Sequence, residues 1–107
     1  MATDPDYIEY VLENLAGLDA TRKKMFGEYM IYLGGKPVLL VCDNTVFIKK
    51  HSFLEDENLE AGHPYQGAKE HYILNPEEKS TLRRIASWAE KITPLPKPRK
   101  KRLPKGR

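Results

Sequence analysis

Residues 22–49 read RKKMFGEYMIYLGGKPVLLVCDNTVFIK, and the punctuation inside this stretch decides the fold. Gly34-Gly35 stands between two apolar runs and is a two-residue hairpin signal. Asp43-Asn44 marks a second tight turn between Val38–Cys42 and Thr45–Lys49. Upstream, residues 22–33 are rich in aromatic and branched side chains and read as one strand. Gly27 inside that run reads as a bulge or a close backbone approach. Two tight turns in succession make a three-strand antiparallel meander.

Outward from the meander the period changes. Ile8, Val11, Leu12 and Leu15 recur at i, i+3, i+4 and i+7, so the sequence predicts a helix over Pro5–Ala16. Asp4 or Thr3 caps it, Pro5 suits the first helical position and Gly17 stops it. Leu82, Ile85, Ala86, Ala89 and Ile92 make a second stripe, with Asn75 as the expected cap, Pro76 as the first helical residue and Glu77 and Glu78 in the first turn. His71–Leu74 reads as a fourth short strand. Residues 50–70 form an irregular segment with a short helical turn near Phe53–Glu57. The predicted class is α+β: two layers, an antiparallel sheet of a three-strand meander plus a short fourth strand, packed by an N-terminal and a C-terminal helix.

A sheet with one wet face alternates apolar and polar residues. Neither Tyr29–Leu33 nor Val38–Cys42 alternates. Something is therefore expected to cover the second face: the irregular segment, or a second copy of the chain in a homodimer.

With 107 residues the chain fits one small domain and a tail. The longest apolar run, Val38–Cys42, is far short of the roughly 20 residues of a membrane helix. The first residues lack the pattern of a signal peptide, and the single cysteine, Cys42, excludes an intramolecular disulfide framework. A cytoplasmic protein is expected. Its charge is segregated. Residues 1–92 hold 11 Lys and Arg against all 15 Asp and Glu, a net of −4, whereas residues 93–107 carry +7 and no acid. This splits the chain into a 1–92 domain and a 93–107 tail, TPLPKPRKKRLPKGR, expected to be disordered because its prolines oppose both helix and ladder. Lys97, Arg99, Lys100, Lys101, Arg102, Lys105 and Arg107 suit salt-sensitive contact with DNA or RNA phosphates. The tail has no aromatic on which a base could stack.

Catalytic patterns are not found. Gly35-Lys36 is followed by Pro37 and lacks the earlier glycine of a phosphate loop. His51, His63 and His71 are too widely spaced for a zinc motif, and Ser52, Ser80 and Ser87 lie in no nucleophile elbow. Cys42, ending a strand, reads as a small core residue. Trp88 borders the second stripe and is expected on the sheet; Arg84, one turn earlier, offers an exposed cation–π alternative. No catalytic residue, cofactor or metal is assigned. Met25-Phe26-Gly27-Glu28 is the most distinctive motif: a bulky pair, a permissive glycine and an acid that needs a partner or water, with Arg22, Lys23 and Lys24 nearby. These four residues are candidates for contact with a partner or ligand.

RKKMFGEY (22–29), with IYLGGKP (31–37), VFIK (46–49), GHPY (62–65), HYILNPE (71–77) and LRRIASWA (82–89), resembles the N-terminal domain of the TfoX/Sxy competence-regulator family over residues 7–92. The resemblance implies a small bacterial α+β domain with no catalytic residues and no cofactor. The expected function is a non-enzymatic regulatory or protein-interaction domain, with the partner unidentified. The alternative is an accessory nucleic-acid-binding protein acting through the tail.

Overall fold

A computed structural model describes residues 3–94. The seven tail cations, Lys97 to Arg107, lie outside the described residues. The elements run α1 (Pro5–Glu13), β1 (Ala20–Met25), β2 (Glu28–Leu33), β3 (Lys36–Cys42), β4 (Thr45–Ile48), a 3-10 helix (Ser52–Glu57), β5 (Ala61–Gly62), β6 (His71–Leu74) and α2 (Lys79–Ile92). The strands form one antiparallel sheet in the order β1-β2-β3-β4-β6-β5. The α+β class is as the sequence predicts.

The strand count differs. The run expected as one strand is a hairpin, with Met25 opposite Glu28 and Phe26-Gly27 as its two-residue loop. Phe26 has φ 51° and Gly27 φ 83°. Gly34-Gly35 (57° and 83°) and Asp43-Asn44 (51° and 55°) repeat this double positive φ. It is the signature of type I′ turns, whose twist matches that of paired strands. Gly27 is thus half of a turn rather than a bulge. A bulge does occur in β3: Leu39 faces Ile31 and Pro37 faces Tyr32, so Val38 is the extra residue.

The helix boundaries also move inward. After Asn14 N–H reaches the Tyr10 carbonyl, the Leu15, Ala16 and Leu18 amides reach only three residues back. The chain tightens, and it leaves through Gly17 at φ 90°. At the other helix, Asn75 Oδ1 accepts from the Glu77 amide and the Asn75 carbonyl accepts from Glu78. Residues 75–78 are therefore a turn, and the helical ladder starts with Leu82 N–H donating to the Glu78 carbonyl.

Both helices lie on one face of the sheet. Ile8, Val11 and Leu15 meet Leu82, Ile85, Ala86 and Ala89 over Tyr29, Ile31, Leu33, Leu39, Val41, Val46 and Ile48, all buried. Arg83 of α2 donates to the Ala16 carbonyl (2.6 Å), tying the helix ends together. β1 forms a sheet edge and exposes Thr21, Arg22, Lys23 and Lys24. Charged side chains there oppose edge-to-edge pairing. No helix among the described residues is long and apolar enough to cross a membrane.

Burial along β2 alternates although its hydropathy does not: Tyr29, Ile31 and Leu33 are buried, and Glu28, Met30 and Tyr32 are half-buried. On the second face, Gly62 of β5 lies against Ile73 and Phe47, close enough that a Cβ would meet Ile73 Cδ1 at 3.2 Å. Beyond this edge strand, Tyr65 reaches back to line the same hollow as the buried Phe47, while Met30 and Leu40 on the β2–β3 half keep solvent contact. The two faces should answer truncation differently. Ile31→Ala is expected to cost about 3 kcal/mol of unfolding free energy in urea. Met30→Ala, one residue away, is expected to cost under about 1 kcal/mol.

Candidate functional site

Pleat geometry places Glu28, Met30, Leu40, Cys42, Phe47 and Lys49 on the helix-free face, because each alternates with a neighbour that points into the core. Two adjoining grooves run across it and share Leu40 and Tyr65. One includes Met25, Phe26, Glu28 and Cys42; the other includes Met30, Pro37, Phe47, Lys49, His51 and His71, with Ile92 and Pro94 from the end of α2. Three of the large exposed apolar side chains among the described residues line these grooves: Phe26 (105 % exposed), Tyr65 (61 %) and Ile92 (47 %).

The four motif residues divide into two jobs. Glu28 is held structurally: its carboxylate accepts from Thr3 Oγ1–H (2.7 Å) and from the Asp43 amide (3.1 Å). The Thr3 amide donates to the Gly27 carbonyl (3.1 Å), and its buried hydroxyl accepts from the Asn44 amide (3.2 Å). The N-terminal segment is thereby stitched to two hairpin turns. Arg22, Lys23 and Lys24 do not supply the partner; Arg22 pairs with Glu9 across the surface. Met25 and Phe26 instead line the groove, and Phe26 projects from the tip of the first hairpin. A bulky side chain at positive φ is strained, commonly by 1–3 kcal/mol, and Asn or Gly would relieve it.

The histidines are dispersed. His63 Nδ1 lies 2.9 Å from the Ala68 carbonyl and His71 Nδ1 2.8 Å from the Lys69 carbonyl, so each Nδ1–H donates. His51 stacks on Phe53 at 5.5 Å between ring centroids, and burial, helped by Lys49, holds its pKa below the usual range. Its ring is accordingly neutral at pH 7. Among the described residues no three His, Cys, Asp or Glu side chains are grouped to hold a metal ion.

Trp88 departs from expectation. It is half exposed and meets Phe53 edge-on at 6.0 Å, away from the sheet. Lys91 approaches its ring at 5.9 Å, while Arg84 is engaged in a two-point pair with Glu57 (3.0 and 3.1 Å). Those hydrogen bonds hold the Glu57 carboxyl below its usual range. The sequence reading missed Met30, Leu40, Tyr65 and Phe47 as groove-lining residues. For the strand residues the available signal was the lack of alternation; for Tyr65, in an irregular segment, there was none.

No protein-family model matches the chain. It is 35 % identical over 105 residues to the uncharacterized 12.7 kDa protein in trpE 5′ region of Spirochaeta aurantia, with 94 % of this chain and 91 % of the other covered. The chain belongs to the same family as that protein.

Cys42 is a buried thiol whose pKa is pushed up to about 11, first by desolvation and then by the Glu28 and Asp43 charges. At pH 8 iodoacetamide should label it far more slowly in the folded chain than after denaturation. The raised pKa also fixes a pH trend. The folded state holds this proton more tightly, so stability should fall as pH rises from about 9 toward 11. Cys42→Ala should flatten that slope in urea titrations.

Proposed function

We propose that this family member is a non-enzymatic protein-interaction domain with a regulatory role, in keeping with the TfoX/Sxy N-terminal resemblance, and that the helix-free sheet face is its docking surface. Phe26 carries the reading. A fully exposed aromatic, held at positive φ on a rigid two-residue turn, offers contact area at the cost of backbone strain. Such strain persists where surrounding structure over-determines it, and it gathers at functional sites. Exposed apolar surface rimmed by polar groups is typical of protein contact sites.

The grooves enclose about 410 and 570 Å³, within the range of small-ligand sites. A ligand pocket, however, usually buries its aromatics. Here Phe26 and Tyr65 stand out from the wall. The charge of the 93–107 tail supports a second reading, accessory contact with DNA or RNA. Binding equal in the full chain and in a version ending at Thr93, at low and moderate salt, would remove it.

Phe26→Asn separates the fold from the docking role. It should raise the unfolding free energy of the isolated chain by about 1 kcal/mol, since Asn accepts the turn conformation. A photo-cross-linking amino acid at position 26 in cells should yield discrete protein adducts. The same group at Tyr10, on the far side of α1, should not. Equal adduct patterns from the two positions would overturn the docking reading.

A further inference from the structure

We propose that the docking face meets a second copy of this chain, turned over about a two-fold axis lying in the interface above Leu40. The inference rests on the reading of that face as a protein-docking surface and adds its occupant. Leu40 is the centre because it lies in both grooves and in the middle of the three strands β2, β3 and β4: it pairs with Met30 on one side and Phe47 on the other.

From this centre the charges are laid out antisymmetrically. Glu28 lies in β2, one strand to one side and two residue steps before Met30. Lys49 lies one strand to the other side, two residues beyond Phe47. An axis in the interface plane, perpendicular to the line from Glu28 to Lys49, exchanges the two ends of that line. It sets each Glu28 opposite the partner copy's Lys49, twice per dimer.

The apolar features follow the same exchange. Phe26 projects at the Glu28 end, and the groove containing Pro37 and Lys49 opens at the other. The operation that matches the charges therefore carries Phe26 of each copy onto that groove of its partner. An isologous interface requires knob and hollow on one surface, and both are present.

Sedimentation of the purified full chain tests this. Wild type should show a concentration-dependent monomer–dimer equilibrium below about 100 µM, a loose dimer being consistent with a small polar-rimmed face. Phe26→Asp and Lys49→Glu, both on exposed side chains, should each raise the dissociation constant tenfold or more without lowering thermal melting. Isotope-mixed protein with the photo-cross-linker at position 26 should give between-copy adducts near Pro37 and Leu40. A chain that stays monomeric at 500 µM, or a dimer indifferent to both variants, would overturn the proposal. If position 26 then cross-links in cells to a different protein, the docking reading stands and the second copy falls; if it gives no position-specific adduct, both fall.

Discussion

A pleated sheet has two faces, and the described residues of this chain place a helix layer on one. Tyr29, Ile31, Leu33, Leu39, Val41, Val46 and Ile48 project to the same side because alternate residues must. Each side chain so buried contributes on the order of 1.5–3 kcal/mol, and α1 and α2 are held over the sheet by that gain. The remaining residues of the same strands are consequently committed to the opposite side. Met30, Leu40 and Phe47 are as apolar as their neighbours, and among the described residues Tyr65 comes to meet them. The candidate site is the remainder of this geometric bargain: what the pleat forces outward and the chain leaves partly uncovered.

Three I′ turns make that face coherent. Each adds right-handed twist suited to its hairpin and keeps the strands in register, so the four-strand meander behaves as one curved platform. Two of the turns use residues that tolerate positive φ: Gly34-Gly35 and Asp43-Asn44. The first places Phe26 there. The Thr3–Glu28–Asp43–Asn44 hydrogen bonds cluster beside it, linking the N-terminal segment, the first hairpin and the β3–β4 turn. That clasp gives the strained tip a fixed base, so Phe26 extends from rigid backbone rather than from a loose loop.

The histidines donate to nearby carbonyls or stack on Phe53, Cys42 is buried as a neutral thiol, and the acids of the 3-10 helix serve Arg84 or solvent. The aromatic run His51–Phe53–Trp88 extends from one groove around to α2. At its far end Lys91 lies above the indole.

The amino-acid sequence by itself determined the class, both helices, the meander and the pairing of residues 71–74 as a strand, because these rest on period and on glycine or Asx turns that act over a few residues. It also carried the warning that Tyr29–Leu33 and Val38–Cys42 are apolar on both faces. It did not reveal the first hairpin, because Phe26 at positive φ contradicts local preference and the turn is held by Thr3, which bonds the Gly27 carbonyl and, across a separation of 25 residues, Glu28. For the same reason it placed Trp88 on the sheet, whereas α2 turns that side chain toward Phe53. Which half of the second face is covered, and where Glu28 and Lys49 stand about Leu40, came only from tertiary structure, since strand register and the path of residues 61–65 are settled by long-range packing rather than by neighbouring residues.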